Sequence, residues 1–105
     1  MEIKITLVCA GGMSTSILVQ KMQKAATQFY PNDTIRIVAS AESKFKKLAD
    51  ETDILLLGPQ VMYMKKKIEE QYADKGFPIV VINSVDYGMI NGEKILNEAI
   101  LLVRK

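Results

Sequence analysis

Leu7-Val8-Cys9-Ala10-Gly11-Gly12-Met13-Ser14-Thr15-Ser16 changes character twice within one short stretch. It begins as an apolar strand and ends in three hydroxyl residues that open a helix. The chain's single cysteine and a pair of glycines lie between. A helix start leaves backbone N–H groups without partners and carries partial positive charge. Glycines let a backbone fold tightly around a bound group, and hydroxyls cap a helix or donate to an oxyanion. The stretch therefore reads as an anion cradle with a thiol at its mouth. A helix N-terminus lowers a thiol pKa from about 8.5 into the range of roughly 3.5–7.5, so the expectation is an activated Cys9.

The chain on either side sets that stretch in a parallel sheet. Ile3 to Cys9 alternates and then runs apolar, as a strand covered on both faces does. From Ser14 to Phe29 the residues Leu18, Met22, Ala25 and Phe29 share one helical face. Tyr30-Pro31-Asn32-Asp33 turns the chain, and Thr34 to Ser40 is a β-branched, alternating edge or near-edge strand. Glu42 to Glu51 is predicted as a short charged helix, and Asp53 to Gly58 as a buried central strand ending at Gly58-Pro59. Val61 to Ala73 is predicted as a third helix, with Val61, Met64, Ile68 and Tyr72 on one face. Pro78 to Ile82 is a fourth strand and Asn83 to Gly88 a polar loop. Glu93 to Val103 is a last helix that packs through Ile95, Leu96, Ala99, Ile100 and Val103. Strands alternating with helices give an α/β fold with helices on both faces of a parallel sheet. The natural order for four strands is the flavodoxin-like 2-1-3-4, a three-layer sandwich with its ligand site outside the carboxyl ends of the strands. Cys9 falls in the loop after strand 1, where such a site belongs.

Composition narrows the chemistry. At 105 residues, the chain is read as a single domain spanning residues 1–105. With 49% hydrophobic and 25% charged residues it is ordinary globular protein, and a net charge of +2 does not argue for nucleic acid. No run approaches the ~20 apolar residues of a membrane span, and the start lacks the basic region of a signal peptide. One cysteine makes no internal disulfide, so the expectation is a cytoplasmic protein with a reduced thiol. The absence of histidine rules out a Cys–His dyad, a Ser–His–Asp triad and a histidine zinc site. Neither a metal nor a cofactor is expected.

A lone cysteine is more often a small buried hydrophobe than a nucleophile. Its place at a strand end, the Gly11-Gly12 pair and Ser14-Thr15-Ser16 together reverse that reading. Cysteine phosphatases use a thiol, five residues and then arginine. Thr15 stands at the arginine position here, and Arg36 and Arg104 lie elsewhere in the sequence. A phosphatase also needs a general acid and base. Asp86 is the one candidate, and a turn residue is its plainer reading. Such a site holds a phosphocysteine and hydrolyses it poorly, which suits a phosphate relay. The competing readings are a low-molecular-weight cysteine phosphatase-like enzyme and a non-catalytic thiol-containing regulatory module.

These residues carry a family resemblance. Val8-Cys9-Ala10-Gly11-Gly12-Met13-Ser14-Thr15-Ser16 resembles the active-site loop of the enzyme IIB component of the lactose/cellobiose (chitobiose) family of the bacterial sugar phosphotransferase system. Leu56-Leu57-Gly58-Pro59-Gln60 with Tyr63-Met64, and Asn83-Ser84 with Tyr87-Gly88, extend it along essentially the whole chain. Gly11 stands where alanine looks more usual, a mild departure for a backbone cradle. The fold implied is similar to that of the low-molecular-weight tyrosine phosphatases. The resemblance implies that Cys9 accepts phosphate from a phosphohistidine of enzyme IIA. Cys9 would then pass it to a β-linked disaccharide of cellobiose, chitobiose or β-glucoside type, bound by the membrane permease IIC. Backbone amides and hydroxyls of Ala10, Gly11, Gly12, Met13, Ser14, Thr15 and Ser16 would bind the phosphate. A monomer that meets the inner face of the membrane only through the permease, without inserting, goes with this reading.

Four further features remain open between site and scaffold. Gln60 and Tyr63 line the site or the docking face, or else start a helix and pack. Ser84, Asp86 and Tyr87 divide the same way. Lys65-Lys66-Lys67 docks an acidic partner or is simply a solvated helix face. Met13 is read as a partner contact; Met22, Met62 and Met64 are read as core.

Overall fold

The central strand β1 (Glu2–Val8) pairs in parallel with β2 (Thr34–Ser40) on one side and β3 (Ile54–Leu57) on the other. β4 (Ile79–Val81) pairs with β3, which completes the expected order 2-1-3-4. The computed structural model describes residues 2–9 and 13–103, and of Met13 and Ser14 the backbone alone. The α-helices are α1 (Met13–Phe29), α2 (Lys65–Gln71), α3 (Ser84–Gly88) and α4 (Gly92–Val103).

Strand alternation sorts the core into two layers. Ile3, Ile5 and Leu7 of β1, with Ile54 and Leu56 of β3, meet Leu18, Met22, Ala25 and Ala26 of α1 and Ile95, Leu96, Ala99 and Ile100 of α4. Val8, Leu55 and Leu57 join Phe45, Ala49, Val61 and Ile68 on the opposite face. β2 forms the edge and shows it: Ile35 and Ile37 are buried, while Thr34, Arg36 and Ala39 are exposed. Thr6 is buried within β1 and bonds the Thr52 hydroxyl at 2.8 Å, so its polar atom keeps a partner. The start of α4 comes so close to α1 that a Cβ at Gly92 would sit 2.8 Å from both Met22 N and Lys21 Cβ. Only glycine fits there.

Three segments differ from the sequence expectation. Glu42–Glu51 is two short 3₁₀ segments, Glu42–Lys47 and Ala49–Glu51. The chain must return to the start of β3 with few residues, and a 3₁₀ turn rises about 2.0 Å per residue against 1.5 Å for α. The predicted helix over 61–73 is a 3₁₀ segment, Pro59–Met64, followed by α2; Val61 breaks the helical geometry at φ −116°, ψ 22°. Asn83 to Gly88 is not a loop. The Asn83 side chain accepts from Val85 N at 2.8 Å and Asp86 N at 3.2 Å, which caps α3. Behind it, Ile90 N donates to Tyr87 O and Asn91 N to Asp86 O, the Schellman pattern. Its left-handed position is held by Ile90 at φ 53°, a β-branched residue where glycine is usual.

Candidate active site

The parallel register carries the ends of β1, β3 and β4 to one sheet edge. Val8 pairs with Leu57, Gly58 N donates to Val8 O at 2.9 Å, and Ile82 N donates to Leu57 O at 2.8 Å. Three segments leave from that edge: Cys9 after β1, Gly58-Pro59-Gln60 after β3 and Asn83–Gly88 after β4. The switch point of the fold and the cysteine coincide, as the topology requires.

Cys9 is 8% exposed and packs in the same cluster as Leu18 and Tyr87. Thr15, in the first turn of α1, is buried and lies 3.1 Å from the Tyr87 hydroxyl. The Thr15 and Tyr87 hydroxyls and the backbone of Gly58 are the hydrogen-bonding groups beside the Cys9 sulfur. A Cβ at Gly58 would stand 3.0 Å from Cys9 Sγ and 2.8 Å from Gln60 Oε1. The Gln60 amide thus folds back beside the thiol even though the residue as a whole is exposed.

The thiol departs from the expected activation. Burial pushes its pKa up, and the hydrogen bonds from Thr15, Tyr87 and Gly58 pull it down without offsetting that cost. Desolvation disfavours the charged form, and here it is the largest influence.

Thr15 and Tyr87 are brought against Cys9, and Gln60 lies beside it across Gly58. Asp86 is buried. Its carboxylate pairs with Lys94 of α4 at 3.1 Å, which ties α3 to α4. Ser16 and Ser84 are exposed. Tyr63 is 76% exposed and so does not pack. Ala10, Gly11 and Gly12, and the side chains of Met13 and Ser14, lie outside the described residues. Met62 is 61% exposed rather than core, and Val85 and Met89 of the β4 segment are also exposed. Met22 is core, as expected. Sequence reasoning does not reach the parts played by Gly58 and Lys94. A glycine directly after the apolar run Ile54–Leu57, facing a cysteine loop, is the available signal for the first; for Lys94 there is none. Among the described residues, no helix is long and apolar enough to cross a membrane.

The comparisons with known proteins agree with this geometry. The model of the family described as "PTS system, Lactose/Cellobiose specific IIB subunit" matches residues 4–98. The chain is 42% identical over 100 residues to the PTS system galactose-specific EIIB component of Lactococcus lactis subsp. cremoris (strain MG1363), covering 90% of this chain and 91% of that one. It is equally, 42%, identical over 100 residues to the PTS system cellobiose-specific EIIB component of Lactococcus lactis subsp. lactis (strain IL1403), with the same coverage of 90% and 91%. Among solved structures, the cellobiose-specific phosphotransferase IIB component of Borrelia burgdorferi superposes with a TM-score of 0.80 at 43% identity, covering 99% of this chain and 94% of that one.

Proposed function

This chain belongs to the lactose/cellobiose-specific IIB family of the sugar phosphotransferase system, and from that premise we propose that Cys9 is its phosphoryl-carrying nucleophile. The observation that carries the reading is the placement of Cys9. It directly follows the central strand, four residues ahead of the start of a 17-residue helix, with the hydroxyls of Thr15 and Tyr87 and the Gly58 backbone beside its sulfur. The whole chain, residues 1–105, acts as one IIB domain and as a monomer.

The chemistry is two displacements at phosphorus. The Cys9 thiolate attacks a phosphohistidine on enzyme IIA; an S–P bond forms, the N–P bond breaks, and the imidazole nitrogen keeps the electron pair. A hydroxyl of the sugar bound in the permease IIC then attacks the same phosphorus. The S–P bond breaks, the electron pair returns to sulfur, and the sugar's proton leaves to a base outside this chain. Such transfers need positioning and charge stabilisation above all. Backbone amides and hydroxyls from Ala10 to Ser16 supply these, at a helix N-terminus suited to anions.

The pairing of Asp86 with Lys94 favours a carrier over a phosphatase, because it engages the one carboxylate that could have served as general acid. The exposed Met62, Tyr63, Val85 and Met89, on the two segments beside Cys9, suit transient contact with IIA and IIC. Both partners would be met in the cytoplasm, the second at the inner face of the membrane. The sugar is a β-linked disaccharide of cellobiose, chitobiose or β-glucoside type. The equal likeness to galactose- and cellobiose-specific relatives leaves the class as the finest statement.

The test is direct. Incubation with a phosphohistidine donor should place a single phosphoryl adduct on Cys9, located by mass spectrometry. An adduct that persists in Cys9→Ser, or no adduct at all, refutes the assignment.

A further inference from the structure

We propose that the Tyr87 hydroxyl is a catalytic group of this site, donating a hydrogen bond to the Cys9 sulfur whenever that sulfur carries negative charge. Three observations carry this. Tyr87 is buried in the same apolar cluster as Cys9. Its oxygen lies 3.1 Å from the buried Thr15 hydroxyl, and both hydroxyls reach the sulfur. Its helix, α3, is fixed at both ends: Asn83 caps the start, and Asp86 on the preceding residue is tied to Lys94 at 3.1 Å.

Two hydroxyls and a sulfur make a three-membered set with a choice of acceptor. Each hydroxyl has one proton, so the bond between them uses one of the two. A thiolate accepts far more strongly than a hydroxyl oxygen. Ionisation of Cys9 therefore turns both protons onto sulfur, and phosphorylation of Cys9 releases them. The Tyr87 hydroxyl thereby stabilises the thiolate that attacks and the thiolate that leaves. Cys9 is buried and the Lys94 ammonium is already paired with Asp86, so these hydroxyls are the side chains that compensate the charge. Asp86 and Lys94 are positioning residues that act through Tyr87. The bearing on phosphoryl transfer rests on the phosphocysteine reading above, but the bond to the thiolate does not.

The test is the pH dependence of Cys9 alkylation by iodoacetamide in the full-length protein. Loss of one hydrogen bond to a charged group should move the midpoint up by about one pH unit in Tyr87→Phe, and slow alkylation about tenfold at pH 7. Thr15→Val should shift it in the same direction, and Thr15→Ser should restore it. An unchanged midpoint in a folded Tyr87→Phe overturns the proposal. Wild-type protein gives a second reading should that variant not fold. The ¹³C shift of Tyr87 Cζ should show a step at the Cys9 alkylation midpoint that is missing from Cys9→Ser, and the same profile in both proteins also overturns it. Alkylation and transfer separate the two readings. A shifted midpoint without any phosphoryl adduct leaves Tyr87 in place and removes the carrier function; an adduct with an unshifted midpoint does the reverse.

Discussion

The two layers that cover the sheet are built differently. On one side α1 and α4 are long α-helices, pressed together until Gly92 meets the backbone of Met22. On the other side short 3₁₀ segments and the seven-residue α2 cover the same strands, with Lys44, Lys46, Lys47, Lys66 and Lys67 outward. The first layer and the α3 turn leading into it provide both side chains that touch the sulfur, Thr15 and Tyr87. The second contributes the Gly58 backbone and the exposed Met62 and Tyr63. Rigid packing thus holds the Cys9 sulfur, and the irregular layer presents surface. Fixing Thr15 and Tyr87 to within a few tenths of an ångström needs supports that do not move.

The largest expected effect tests the rigid side. Gly92→Ala forces a Cβ against backbone atoms that cannot swing aside, so unfolding by urea should show a loss of about 3 kcal/mol. Lys67→Ala on the other layer should stay within about 0.5 kcal/mol. Equal effects would erase the distinction between the layers.

A smaller effect comes from the thiol itself. Cys9 holds its proton to higher pH in the folded protein than in the unfolded chain. Stability is therefore complete below the unfolded thiol value of about 8.5 and declines as pH rises through the folded value. The measurement is the difference in urea stability between wild type and Cys9→Ala from pH 7 to 10, which cancels the lysine and tyrosine titrations common to both. A difference that does not change with pH would mean that the buried thiol ionises without penalty.

The same contrast governs how much of the molecule is legible in its sequence. The strands, their order 2-1-3-4, α1 and α4 are legible because burial on a regular period leaves a regular pattern, as at Leu18, Met22 and Ala25 or at Ile95, Ala99 and Ile100. The irregular layer reads instead as two ordinary helices. Phe45 and Ala49 fit an α-helical period and a 3₁₀ path almost equally well over so few residues. Met62 is misplaced with them, for the break at Val61 turns it outward. The position of Cys9 follows from the strand pattern alone. The polarity of its surroundings does not: α3 spans only five residues, below any periodic signal, and the bond between Thr15 and Tyr87 joins residues 72 apart in the chain. An Asn83 cap with Asp86 three residues on is the local hint that Asn83–Gly88 is helical. The raised thiol pKa escapes a sequence reading for a related reason. A helix N-terminus is visible in sequence, whereas desolvation depends on what three distant segments jointly exclude.

The smallest effect on stability carries the sharpest test of the surface side. Met62→Ser and Tyr63→Ser remove apolar area that water already reaches, at 61% and 76% exposure, so each should change stability by less than about 0.5 kcal/mol. Their cost should appear only when a partner covers them. In steady-state transfer from a phosphohistidine donor protein, the double variant should raise KM for the donor roughly tenfold, the size expected when one well-packed interface residue is lost. The maximal rate and the Cys9 alkylation midpoint should stay unchanged, because neither residue reaches the sulfur. An unchanged KM would mean that the exposed side chains of the irregular layer are not part of the docking face. A shifted midpoint would mean that this layer also tunes the thiol, and the division of labour between the two sides of the sheet would fail.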